Sequence, residues 1–158
     1  MVSRSESRAS VAASERSTIR TVAMAVGVVF LLVGILGFIP GITTDYGDMR
    51  FAGHDSGAHL LGVFQVSILH NIVHLLFGIA GIAMARRVDT ARLFLIGGGA
   101  IYLVLFLYGL VIGHGSDANF VPVNTADNWL HLVLGLGMIA LGLIFAPRAR
   151  PVAGGLGR

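Results

Sequence analysis

The sequence contains no cysteine and few charged residues, and each shortage narrows the choice of protein class. Without cysteine the chain forms no disulfide and offers no thiolate ligand to a metal. Charged residues make up 12% of the 158 residues, whereas about 25% is usual for soluble domains. Hydrophobic residues reach 55%, so the composition predicts an integral membrane protein whose main partner is the lipid bilayer.

The apolar parts of the chain also lack acidic residues, which argues against several kinds of chemistry. No Asp or Glu lies inside any long apolar run, so an ion-coupled pump is not expected. The glutamate of a metalloprotease motif is missing, and no catalytic serine triad is recognisable. The net charge of +3 comes from arginines at the ends of apolar runs, so we expect no nucleic-acid partner.

Four apolar runs are long enough to cross a bilayer as helices, and they predict an all-α fold, a four-helix transmembrane bundle. They cover about residues 21–39, 59–85, 93–112 and 128–146 within a membrane domain 21–146. As a helix the second run is about 40 Å long, so its start is expected to protrude or to form an interfacial turn. Residues 1–20 and 147–158 are predicted to be a disordered cytoplasmic arm and tail.

The arginines predict how the four runs are oriented. The chain has 11 basic residues, and all but one lie on the same side of the runs. That side carries Arg4, Arg8, Arg16, Arg20, Arg86, Arg87, Arg92, Arg148, Arg150 and Arg158. Arg50 is alone on the other side. Because basic residues concentrate in cytoplasmic segments, the N-terminus and the C-terminus are predicted to be cytoplasmic.

A short sequence echo connects the second and fourth runs. Both contain Asn-x-x-His-Leu-x-x-Gly, first at Asn71–Gly78 and again at Asn128–Gly135. Both runs pass inward, so the echo is typical of two pseudo-symmetric helical hairpins. It pairs His74 with His131. Counting from the cytoplasmic arginines instead pairs His70 with His131, because these two lie at similar depths.

Histidines in the spans form the first candidate site. Imidazole ligates zinc, copper and haem iron, so His70, His74 and His131 are a candidate site for a divalent metal or haem. The alternatives are a proton relay, a ligand site, or hydrogen bonds between helices. Those bonds would use a polar intramembrane cluster, defined as Ser67, Asn71 and Asn128.

The segment before the second run holds an outer-loop cluster, defined as His54, Asp55 and His59. It is a candidate site for a divalent ion or a lipid headgroup. The alternative is a capped entry to the second run, with Asp55 or Ser56 as N-cap. Thr125 or Asp127 is expected to cap the fourth run in the same way.

Two of these segments resemble a known family. They are FAGHDSGAHLLGVFQVSILHNIVH at residues 51–74 and NFVPVNTADNWLH at residues 119–131. With them the chain resembles a bacterial four-span membrane family called domain of unknown function 4383, over about residues 20–146. The resemblance implies an inner-membrane protein of this length and topology, and it supplies no activity.

Three functions are therefore considered. The first is a non-enzymatic accessory or scaffold subunit of a membrane assembly, as a homo-oligomer or in a larger complex, acting through outer loops and glycine-rich helix faces. The second is a histidine-ligated haem or metal redox subunit. The third is a small transporter or lipid-binding module. Any function within the bilayer is expected near the outer halves of the second and fourth runs.

Overall fold

The computed structural model describes residues 4–145, and four helices form most of it. Helix α1 is Arg4–Leu36, α2 is Ile68–Met84, α3 is Val88–Val111 and α4 is Thr125–Ile144. Helices α3 and α4 and the Ala13–Leu36 part of α1 are long and apolar enough to cross a membrane, and α2 is a shorter apolar helix. The predicted all-α fold is confirmed, and these helices indicate a membrane location.

The N-terminal segment differs from its prediction. We expected residues 1–20 to be disordered, but α1 begins at Arg4 and continues into the apolar run without a break. Residues 4–20 contain no proline or glycine, so nothing in this polar segment ends a helix. The predicted tail at 147–158 lies outside the described residues.

The start of the second run is the other difference. Residues 59–65 are not helical but belong to a small antiparallel sheet with strands β1 (Thr43–Thr44), β2 (His59–Leu60) and β3 (Phe64–Gln65). The chain reverses between β2 and β3 at Leu61 and Gly62, whose φ angles are 55° and 71°. This left-handed backbone is incompatible with a helix. Helix α2 therefore starts only after Ser67.

The helices pack as two hairpins, α1 with α2 and α3 with α4, joined mainly where α1 meets α3. Aromatic rings fill this junction: Phe30 of α1 stacks on Tyr102 of α3 with their centroids 5.2 Å apart. Phe77 of α2 packs edge-on against both rings. The core of the bundle thus contains side chains from both hairpins.

The two hairpins repeat the same contacts, as the echo predicted. Asn71 and Asn128 are the fourth residues of α2 and α4. Asn71 fills the space over Gly37, which follows α1, and Asn128 fills the space over Gly109 of α3. His74 and His131 are both seventh residues. By position within the helix, His74 therefore corresponds to His131, as in the echo. The pairing by depth differs because α4 has 20 residues and α2 only 17.

Close helix contact in each hairpin rests on a second pair of glycines. A Cβ on Gly78 of α2 would lie 2.5 Å from the Leu31 nitrogen of α1 and 2.8 Å from the Gly27 oxygen. A Cβ on Gly135 of α4 would lie 3.0 Å from the Gly99 oxygen of α3. Small residues at these positions let the two backbones approach.

Candidate functional site

A cavity of about 330 Å³ lies between α2, α3, α4 and the loop that joins α3 to α4. We call it the histidine cavity. Its polar lining consists of His70, His74, Tyr102, Tyr108 and His131, and the rest is apolar. The three histidines that were predicted to form one site therefore do line one cavity.

The three imidazole rings have different surroundings. The His70 and His74 rings lie 4.4 Å apart, and His74 Nδ1 donates to the His70 carbonyl oxygen at 3.1 Å. The His131 ring meets Tyr102 edge-on at 5.2 Å. His70 Nδ1 and His131 Nδ1 are buried and have no hydrogen-bond partner within residues 4–145. Both atoms are enclosed by protein, so the surface that the histidines present to the cavity is almost entirely apolar.

The metal hypothesis receives no geometric support from the arrangement. Within the described part of the chain, no group of three or more His, Asp or Glu residues is placed to hold a metal ion. In the outer-loop cluster, His54 Nε2 lies 3.3 Å from Asp55 Oδ1. His59 lies in β2, and its Nδ1 donates to the Gly57 carbonyl oxygen at 2.8 Å rather than contacting His54 or Asp55. Metal or haem binding stays a prediction.

The polar intramembrane cluster does not hydrogen-bond to the imidazole rings in the region described. Ser67 caps α2, and its hydroxyl oxygen accepts from the His70 backbone N–H at 3.1 Å. Asn71 Nδ2 lies 4.0 Å from the Met49 sulfur, and Asn128 Oδ1 is buried without a partner. These residues are helix caps and packing residues over glycine.

The helix caps also correct the sequence prediction. Ser67 rather than Asp55 or Ser56 caps α2, because the sheet separates the outer loop from the helix. Asn124 caps α4, and Asp127 completes a capping box instead of acting as the N-cap.

Asp127 ties the two hairpins together at their loop end. Its Oδ2 accepts from the Gln65 N–H of β3 and from the Asn124 N–H, each at 3.0 Å. Asn124 Nδ2 donates to the Val63 carbonyl oxygen at 2.8 Å. We call these bonds the outer clasp. The clasp fixes the start of α4, and therefore the position of His131, relative to the sheet.

The loop beside the cavity is held by a fully buried asparagine. Asn119 Nδ2 donates to the carbonyl oxygens of His114 and Val123, and its Oδ1 accepts from the Val123 N–H at 3.0 Å. Tyr108 adds a hydrogen bond from its hydroxyl to the Ala118 carbonyl oxygen. The loop wall of the cavity is thus held by its own side chains.

Sequence reasoning missed the two tyrosines and Phe120. Tyr102 and Tyr108 are the only hydroxyl-bearing side chains of the run 93–112, which is the signal that would have identified them. No sequence pattern indicates Phe120, because its position in the cavity wall depends on the loop path set by Asn119.

Comparison with known proteins identifies the family and supplies no activity. No curated protein and no solved structure matches the chain. The profile of a family described as a domain of unknown function, DUF4383, matches residues 20–144, which include α2, α3, α4 and the part of α1 from Arg20 onward. The match confirms the resemblance noted in the sequence and covers most of the chain. The protein therefore belongs to the DUF4383 family.

Proposed function

We propose that this protein crosses the bacterial inner membrane four times, with both ends in the cytoplasm, and binds a small lipid-soluble molecule in the histidine cavity. The observation that carries the binding role is a cavity of about 330 Å³ whose accessible surface is almost entirely apolar. Ligand sites are commonly apolar clefts with a few placed polar groups.

Helix length and arginine placement support the membrane arrangement. Helix α2 is about 25 Å long, somewhat short of the bilayer core of about 30 Å, and the sheet at its start would lie at the outer interface. Trp129, near the start of α4, is exposed, as expected for an interfacial anchor.

Cysteine labelling tests this topology cleanly, because the chain has no cysteine of its own. Ser116→Cys, in the loop between α3 and α4, should react with a membrane-impermeant maleimide once the outer membrane is opened. The matched Arg87→Cys, in the turn between α2 and α3, should react only after the inner membrane is breached. The reverse pattern would contradict the proposed orientation.

The rim of the cavity indicates an entrance from lipid. Val73 of α2, Val104 of α3 and Phe120 of the loop line the cavity and are also exposed. In a membrane such apolar side chains face acyl chains. A molecule dissolved in the bilayer would thus reach the cavity between α2 and α3.

A pair of α3 variants tests binding. Leu105 lines the cavity, whereas Leu107 points outward and is exposed. We expect wild-type protein and Leu107→Trp to retain the same small apolar molecule after purification, measured by mass spectrometry of organic extracts, and Leu105→Trp to lose it. Identical extracts from all three proteins would argue against a ligand in this cavity.

The accessory or scaffold role and the redox role stay predictions from the sequence. Membrane proteins that co-purify reproducibly with the chain would support the first. A Soret band or stoichiometric metal in purified protein would support the second, whereas a colourless, metal-free preparation would argue against it.

A further inference from the structure

The turn between β2 and β3 exposes apolar side chains. We call its three residues, Leu61–Val63, the hairpin tip. Leu61 is 65% exposed and Val63 is 49% exposed, and the residue between them is a glycine, so the tip carries no polar side chain. Tight hairpin turns with a left-handed backbone usually contain Asn, Asp or Gly.

The backbone of Leu61 is strained. Its φ angle of 55° is left-handed, which is unfavourable for a leucine and easily adopted by Asn or Gly. Strained residues of this kind cluster in segments with a function. The turn alone does not require a leucine at this position, so we look to the exposed side chain for its role.

The hairpin tip joins the outer ends of two helices whose exposed side chains are apolar. Its first N–H donates to the carbonyl oxygen of Ile42, which follows the end of α1, and the last turns of α1 expose Ile35. Its last carbonyl oxygen accepts from Asn124, the N-cap of α4, and the next turns of α4 expose Trp129 and Val133. In a membrane these helix side chains contact lipid, so the apolar surface continues from the helices to the tip.

The hydrogen bonds of the tip suit a place without water. All three of its backbone N–H groups donate within the protein, in chain order to the carbonyl oxygens of Ile42, His59 and Leu60 at 2.9, 3.2 and 3.1 Å. An unpaired N–H is costly in lipid, whereas water would satisfy it. The tip can therefore enter an apolar layer without leaving an N–H group unpaired.

We propose that the hairpin tip inserts into the outer leaflet of the bilayer, where Leu61 and Val63 contact acyl chains close to the headgroups. The partner of this surface is a lipid layer. The inference goes beyond the histidine cavity and rests only on the membrane arrangement proposed above. Because Asn124 belongs to the outer clasp, the tip also sets the depth of the clasp in the membrane.

Fluorescent labels on single cysteines measure the depth of the tip in phosphatidylcholine vesicles. Leu61→Cys is compared with Asp117→Cys, at an exposed charged position of the loop between α3 and α4, and with Leu136→Cys, on the exposed face of α4. A nitroxide at the headgroup end of the acyl chains should quench the Leu61 label most. A nitroxide at the chain terminus should quench the Leu136 label most, and aqueous iodide the Asp117 label.

The other outcomes are distinct. Iodide quenching at Leu61 as strong as at Asp117 would place the tip in water and overturn the proposal. A Leu61 label that neither quencher reaches would be covered by protein, which would overturn it equally. A reversed maleimide pattern at Ser116→Cys and Arg87→Cys would instead contradict the proposed topology, and with it the outer leaflet, while lipid quenching at Leu61 would still show the contact.

A pair of variants assigns the insertion to the Leu61 side chain. The label is placed at Val63→Cys, which is exposed and has no left-handed backbone, so it also replaces Leu61→Cys if that variant fails to fold. Leu61→Asn keeps a residue that tolerates the turn but removes the apolar group, and it should lower lipid quenching and raise iodide quenching. Leu61→Met keeps an apolar side chain and should change neither. Identical quenching in both variants would contradict the role of Leu61.

Discussion

The two helical hairpins share one framework but end in different loops. In the first hairpin, Leu60 of β2 and Val66, which follows β3, pack with Val33 and Leu36 on the α1 face that precedes Gly37. In the second, the matching α3 residues Leu105 and Tyr108, placed identically before Gly109, line the histidine cavity. The same groove is filled by protein in one hairpin and left open in the other, so the candidate site lies where the halves diverge.

The two hairpins also differ at the third residue of α2 and α4. Asp127 occupies that place in α4 and forms the outer clasp with Gln65. His70 occupies it in α2 and lines the cavity. The third helix position thus joins the two hairpins in α4, whereas in α2 it lines the cavity. The variants below test how far the two halves are equivalent.

Glycine replacement is expected to give the largest effect and to separate the hairpins. Gly78→Ala would place a methyl group against backbone atoms of α1, which cannot move aside. Gly135→Ala meets the Leu103 side chain at 2.7 Å and backbone only at 3.0 Å, so a rotamer change relieves most of the clash. We expect losses of about 3 kcal/mol and about 1 kcal/mol in unfolding free energy, measured by denaturation in mixed micelles.

Gly137→Ala is the matched control on α4. Nothing lies within 4 Å of a Cβ at Gly137, so this change should be nearly neutral. Equal destabilisation by Gly78→Ala and Gly135→Ala would show that the two helix contacts tolerate a methyl group alike, contrary to the geometry.

The helices and their pairing were predictable from sequence, because apolar length and the Asn-x-x-His-Leu-x-x-Gly echo are local signals. The sheet was not, since strands of two residues are too short to show an alternating pattern. For the site, the three histidines could be named, but the cavity depends on a loop path set by Asn119, which no periodicity reveals.

Breaking the outer clasp should have the next largest effect. Asp127→Ala removes the acceptor for two backbone N–H groups, those of Gln65 and Asn124, and we expect a loss of about 2 kcal/mol in unfolding free energy. Hydrogen exchange at the Gln65 amide should accelerate in parallel. Asp117→Ala, at an exposed loop position, is the control and should change neither quantity.

The stacked pair Phe30 and Tyr102 tests whether the hairpins stabilise each other. Each side chain is buried at the junction, and Phe30→Leu or Tyr102→Leu should each lower the unfolding free energy by about 1.5 kcal/mol. The double variant should cost about 1 kcal/mol less than the sum, which is the usual coupling of an aromatic pair. Strict additivity would mean that the rings pack independently.

The smallest expected effect comes from making the second hairpin more like the first at its loop. Tyr108→Phe removes the hydroxyl that donates to the Ala118 carbonyl oxygen but keeps the ring that lines the cavity. Leu36, the matching residue of α1, has no such hydroxyl. We expect a loss of about 1 kcal/mol or less, with faster hydrogen exchange confined to the loop between α3 and α4. Tyr46→Phe, between β1 and β2, controls for loss of a hydroxyl away from the cavity. Unchanged exchange in Tyr108→Phe would leave Asn119 as the residue that holds the cavity wall, because its three hydrogen bonds are untouched by the substitution.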